Sequence, residues 1–395
     1  MARAETTISF IAGAQRAAQS GYIVQTPAGV IYSLFVAVMD NSLCWAKSTD
    51  GGFTWTDMIA VKAGVATSGS FSLWYDKWTP GNTGTLIHVA IFEQTTDDVI
   101  YRSLDTANDA LGTEVVIFAG ASTGAVGNTC ISITRAIGGN LCCAFDIDGG
   151  TEVGFYKSTD AGANWSAMTD VNESASTDYY LLAPGFAVDT QDIICIFWDR
   201  SASEISRKLY DDSGNSWAES SIAASMTAVA NTTAAPQFSL TVDDANNKIL
   251  LIAWSAADAA NADLRFWTID ESAITEGTAV VSNGTDDQGV CALALATDTA
   301  TLYAFYVGKS DGTETFATSV NIYYKTSGDG GATWGSETQL SLAARGIDYL
   351  MTFLTFTGDF GLVFESQTAV FDMLAYSALL PSGGGGSANL LAGKL

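Results

Sequence analysis

Five apolar runs in the sequence close on a carboxylate. They are Val36–Asp40, Val89–Glu93, Cys142–Asp146, Cys195–Asp199 and Gly361–Glu365. Three kinds of chemistry fit an acid in that place. The acid can be a solvated strand end, where a buried strand meets water. It can join other carboxylates and loop carbonyls around a polar ligand or a hard cation, for which Ca2+ is the suited ion. Two such acids about 5–10 Å apart can also form the acid/base or acid/nucleophile pair of a glycoside hydrolase. For that last chemistry Asp40 and Asp199 are the candidates, each with a neighbouring acid. The ligand- or cation-binding candidates are therefore Asp40, Glu93, Asp146, Asp199 and Glu365, with Arg200 directly behind Asp199. Two further runs carry Ser255 and Gly308 at the same step.

A repeat positions these residues. Four segments share the pattern S-x-D-x-G-x-[TSN]-W or a close relative of it. They end at Trp55, Trp165, Trp217 and Trp334, and their aspartates are Asp50, Asp160, Asp212 and Asp329. Degenerate copies fall at Asp105 and Asp270, so the aspartates recur every 52–59 residues, near the length of a propeller blade. The aspartate accepts hydrogen bonds from backbone N–H groups of its own turn, and glycine allows positive φ there. The tryptophan pins the turn to a neighbouring sheet. This is a device for building turns, not a catalytic motif.

The flanks of each turn read as short strands rich in Val, Ile, Phe, Tyr and Trp, and no long segment has a helical period. The fold class is all-β, a seven-bladed β-propeller, with six blades as the alternative if the last unit is a partial sheet. The blades fall near 21–61, 71–118, 128–170, 179–224, 236–283, 288–341 and 348–377, the last completed by residues 7–12. Pairing the N-terminal strand with the last blade closes the ring and removes an exposed edge. Residues 1–380 thus form one domain, and 381–395 are a Gly/Ser-rich tail.

At these turns the chain resembles the Asp-box (BNR-repeat) sialidase-like β-propellers, over about residues 5–380. The resemblance implies a ligand site on the face where second strands lead into third strands, and Asp40 falls where the family keeps its acid/base aspartate. Sialidase activity would further imply three arginines clamping a sugar carboxylate, and a Tyr/Glu nucleophile pair. The stretch Gly21–Pro27, which matches the family's first arginine site, contains no arginine. Of the eight arginines, Arg102, Arg207 and Arg265 fall on third strands, outside the channel, and Arg135 follows a first strand toward the other end. The clamp is missing from the sequence. The same boxes occur in sorting receptors, reelin-like proteins and photosystem assembly factors, so the fold does not dictate the activity.

The remaining composition narrows the partners. With 43 acidic against 17 basic residues in 395, the formal net charge is −26, which disfavours nucleic acid and anionic membranes. No run is long and apolar enough to insert as a membrane helix, and the first residues do not read as a secretory leader. The six cysteines sit in apolar runs and read as buried free thiols, and His88 as a core histidine. Trp74, Tyr75, Trp78, Tyr179 and Tyr180 are either platforms for sugar rings or inner-strand packing.

The sequence thus points to a non-enzymatic binding or structural propeller. A virion accessory (phage tail or capsid) or surface-displayed protein contacting glycans or a partner protein fits best, and an exo-acting glycoside hydrolase is the alternative. An assembly scaffold that uses the tail is a third class. No cofactor is expected beyond the Ca2+ that clustered acids would suit.

Overall fold

The computed structural model describes residues 4–10 and 23–378, except 38–41, 53, 64, 66–70, 94–95, 122–129, 148–151, 172–178, 187–188, 200–203, 224–237, 259–260, 283–289, 312, 315–320, 341–346, 359 and 367–371. Within a few of its strands, including 4–10 and 372–378, only the backbone is described.

Seven sheets form the blades of a β-propeller, each with four antiparallel strands; the second carries an additional short strand, Ala110–Leu111, the sixth a parallel one, Thr355–Phe356, and the seventh takes its outermost strand from the N-terminus. In the second blade the order runs from Phe71–Tyr75 through Leu86–Glu93 and Asp98–Asp105 to Val115–Phe118. In the seventh the outermost strand is Ala4–Phe10, antiparallel to Asp372–Ala378, with Ala4 opposite Ser377 and Phe10 opposite Asp372. The N-terminal strand therefore closes the ring, as the repeat requires.

The burial of each strand explains its sequence. Inner strands lie between neighbouring blades and are covered on both faces. Phe71–Tyr75 and Cys291–Ala296 are buried at every position, which is why they read as continuous apolar runs. The outermost strand of the fourth blade, Ser216–Ala223, is mostly exposed and correspondingly polar. Trp45, Trp74, Trp254 and Trp267 are fully buried between sheets, each contributing about 1.5–3 kcal/mol by the area it removes from water.

Three repeat turns share one hydrogen-bond network. Ser48 donates to Asp50 at 2.7 Å and accepts from the Gly52 amide at 2.8 Å, while Asp50 accepts from the Thr54 amide at 2.9 Å. The turns at Ser158–Trp165 and Ser327–Trp334 repeat it, with Asn164 and Thr333 in the place of Thr54. Hydrogen bonds from Thr333 and Ser327 hold the Asp329 carboxyl at about 2, and those from Asn164 and Ser158 lower Asp160 in the same way. The fourth copy differs from the sequence alignment by one residue. It has no serine at the first position, and Asp211, not Asp212, accepts from Ser213 and from the Gly214 amide. Asp212 instead receives Lys157 at 2.6 Å, and Trp217 donates to the Thr169 carbonyl. The degenerate copies keep the aspartate role alone: Asp105 accepts from the Ala107 amide, and Asp270 from those of Ser272 and Ala273.

Two loops on the face that carries these turns reach beyond their own blades. Thr355–Phe356 of the seventh blade pairs in parallel with Leu295–Ala296 of the sixth. The Leu354 carbonyl accepts from the Leu295 amide at 3.0 Å and from the Thr241 hydroxyl of the fifth blade. Residues 76–85 of the second blade carry Trp78, only 2% exposed, edge-on to Trp74 and Tyr75.

Candidate functional site

Antiparallel strands alternate in direction, so the loops after second strands open on the face opposite the repeat turns. Three of the five carboxylates have described side chains there. Glu93 is nearly buried and accepts from the Thr96 hydroxyl at 2.6 Å. Asp146 is 3% exposed, and both its oxygens are engaged. One accepts from the Cys130 amide and the other from the Tyr180 hydroxyl, each at 2.8 Å. Asp146 thereby ties the third blade to the inner strand of the fourth. Asp199 ends its strand half-buried. For Glu365 the structure describes only its place in the ladder, opposite Tyr349. Asp40 and Arg200 lie outside the described residues.

The register adds two acids that the run-end pattern missed. Glu93 stands directly opposite Asp98, and Asp199 directly opposite Glu204. Side chains of directly opposed residues share a face with β-carbons about 4.5–5.5 Å apart, where like charges repel. The signal was present as two acids five residues apart across a hairpin, readable once the pairing is known. In the first pair both acids are engaged within the fold, Glu93 by the Thr96 hydroxyl and Asp98 by the Gly120 amide. Among the described residues, no three His, Cys, Asp or Glu side chains are grouped to hold a metal ion.

The four described arginines are all engaged. Arg102 donates to the carbonyls of Gly112 and Val61, and Arg207 to that of Asp270. Arg265 grips Glu276 with two bonds of 2.7 Å and lies over Trp267. Arg135, on the turn face, pairs with Asp76. That carboxylate also accepts from the Leu86 amide and meets His88 Nε2 at 3.1 Å, while His88 Nδ1 lies 2.8 Å from the Tyr101 hydroxyl. Burial works to raise Asp76, but the bonds from His88, Leu86 and Arg135 outweigh it and hold the carboxyl at about 2. Burial lowers His88. A neutral imidazole that donates from Nε2 to Asp76 and accepts the Tyr101 proton at Nδ1 satisfies every partner. His88 is the core histidine the sequence suggested, with a polar network around it that the sequence did not reveal.

The five aromatics named as sugar platforms are packing residues. Trp74, Tyr75, Trp78, Tyr179 and Tyr180 are all under 5% exposed, because inner strands are covered on both sides by neighbouring blades. The six cysteines are free and buried. Burial pushes the thiols of Cys142, Cys143 and Cys291 up, which leaves them inert.

On the turn face the 76–85 loop of the second blade, with Thr355 of the seventh, joins residues of the fifth and sixth blades in lining a groove of about 410 Å3. Its floor includes Leu250, Leu302 and Trp78, and its rim Lys77, Asp244 and Asn246.

Comparison with protein-family models finds no match, and comparison with curated proteins finds none. Solved structures do match. An ulvan lyase of polysaccharide lyase family PL25 superposes with a TM-score of 0.56 at 9% identity, over 95% of this chain and 96% of that one. The polysaccharide lyase Uly1 gives 0.54 at 9% identity, over 94% and 92%. The Hadza microbial sialidase Hz136 gives 0.50 at 15% identity, over 92% of this chain and 65% of that one. At such identities the likeness is one of architecture, and the architecture is the β-propeller.

Proposed function

We propose that the protein is a glycan-binding β-propeller that does not cleave its ligand, displayed on a virion or another surface. The observation that carries this reading is the engagement of the arginines. Arg102, Arg135, Arg207 and Arg265 each hold a backbone carbonyl or a carboxylate of the fold, so none of these four is free to clamp an acidic sugar. A net charge of −26 repels anionic saccharides and tolerates neutral ones. The similarity to propellers named as lyases and a sialidase supports a glycan as the class of ligand. A glycan array read alongside a panel of chromogenic glycosides tests the reading: binding to neutral glycans without turnover is expected, and turnover would sink it. Finding the protein in purified particles supports the placement, and finding it confined to the cytosol removes it.

The opposed pair Asp199 and Glu204 favours a second reading, an exo-acting glycoside hydrolase. Turnover abolished by Asp199→Asn would establish that reading in place of the first.

A further inference from the structure

We propose that the groove between the fifth and sixth blades on the turn face binds an uncharged saccharide unit; this rests on the reading of the protein as a glycan binder and places a site opposite the carboxylate-bearing face. Blade two lies across the ring from the adjacent blades five and six, and the groove forms where Lys77 and Trp78 of its 76–85 loop meet them.

Its chemistry combines three things. The floor is apolar, from Val242, Leu250, Leu295 and Leu302 with Trp78. The rim supplies donors and acceptors together: the Lys77 ammonium, the Asn246 amide and the Asp244 carboxylate. Asn246 is held in place by bonds from its amide and side chain to Asp243, at 3.2 and 2.7 Å, which leaves its side-chain carbonyl to accept. Trp78 is the third feature. Its indole N–H is buried and has no acceptor among the described residues. An unmade hydrogen bond of that kind costs about 1–3 kcal/mol.

Each ligand class meets this wall differently. A hydrocarbon would bury Lys77 and Asp244 without partners. An anionic sugar would meet Asp243, Asp244 and Asp329 against the single Lys77. A neutral sugar lays a C–H face on the leucines and turns hydroxyls to the rim, and each hydroxyl can donate to the Asp244 carboxylate or the Asn246 side-chain carbonyl while accepting from Lys77. A hydroxyl beside Trp78 would also supply an acceptor for the indole. Pockets of 300–1,000 Å3 with an apolar lining and a few convergent polar groups are the usual form of small-ligand sites.

The test is isothermal titration of the full chain with cellohexaose, maltohexaose and N-acetylchitohexaose, with hexagalacturonate as the acidic control. The expected result is binding of a neutral hexasaccharide and none of the acidic one. Lys77→Ala and Asp244→Ala should each weaken binding about tenfold, and Trp78→Phe, which keeps a ring and removes the N–H, should weaken it as well. Melting temperatures confirm that the variants fold, and the two rim variants serve alone if Trp78→Phe does not. Asp199→Asn and Glu204→Gln on the opposite face should leave this affinity unchanged. Binding retained in the rim variants and lost in Asp199→Asn would overturn the groove and leave the glycan reading standing. No binding of any neutral saccharide by the unaltered chain would overturn both.

Discussion

Gly162 of the third blade rests on the ring of Tyr101 of the second. A β-carbon built at Gly162 would stand 2.1 Å from Tyr101 Cε1, and the residue has φ +92°. Gly331 of the sixth blade has the same relation to Phe266 of the fifth, again at 2.1 Å and with φ +90°. The glycine of the repeat turn therefore does two jobs. It takes the left-handed conformation the turn needs, and it lets an aromatic from the preceding third strand reach the turn backbone. Trp217 does the equivalent work in the fourth blade, its ring edge-on to Phe155 at 4.9 Å. The turns are thus joints between blades as well as ends of hairpins.

Alanine at Gly162 or Gly331 should destabilise the fold by about 2–4 kcal/mol, from positive φ and displacement of a buried ring together. Gly358→Ala is the control, since Gly358 also has positive φ but no atom within 4 Å of its added β-carbon. It should cost only about 1–2 kcal/mol. Urea unfolding of the three variants measures the gap, and equal losses would show that the ring contact contributes nothing.

The legibility of these joints was uneven, for a physical reason. The Ser–Asp–Gly network closes within seven residues, so three turns could be read directly from side-chain types. In the fourth copy Asp212 keeps the pattern's spacing to Gly214 and Trp217, yet its neighbour Asp211 takes the role. Only the hairpin register, with Asp211 opposite Ser216, decides which caps the turn. Tyr101 and Phe266 gave no sign of their partners because the contact joins different blades. The opposed acids Asp199 and Glu204 lie within one hairpin, and only its register shows that they face each other. The groove draws on the second, fifth and sixth blades at once and has no local signature at all.

Asp192 should limit stability at neutral pH. Burial, with Asp189, Glu271 and Asp211 nearby, raises its carboxyl from 3.8 to about 6. The folded pKa exceeds the unfolded one, so the stabilising share is fully present below about 3.8 and is lost as pH rises through 6. Asp192→Asn keeps an oxygen to accept from the Asp212 amide, now at 2.9 Å, and removes the charge. It should raise stability at pH 7 by about 2 kcal/mol and leave it unchanged near pH 3.5. Equal effects at both pH values would contradict the assignment.

His88 acts with the opposite sign. Its folded pKa lies below the unfolded 6.5, so the unfolded chain takes up the proton first. Its contribution is present above about 6.5 and is lost as pH falls below that. In the Asp192→Asn background the opposing slope is gone, and melting temperature should fall from pH 7 to pH 5. His88→Gln in the same background should be less stable at pH 7 and should flatten that fall. A fall of undiminished slope would place the titrating group elsewhere.

Closure of the ring sets the last expectation. Ala4–Phe10 supplies the outermost strand of the seventh blade, and its partner Asp372–Ala378 has Phe360–Ser366 on its other side. Deleting residues 1–10 leaves the N–H and C=O groups along one side of Asp372–Ala378 without a ladder. Such an edge templates pairing with another chain, and the seventh blade also loses the strand that connects it to the start of the first. The truncated protein should melt at a lower temperature and form dimers or larger species whose proportion rises with concentration in sedimentation velocity. Adding a synthetic peptide of residues 1–12 should reverse that association, because a free strand can remake the backbone ladder with Asp372–Ala378. A truncated chain that stays monomeric with an unchanged melting temperature would mean that the ring is held by packing between blades alone and that the terminal strand is dispensable.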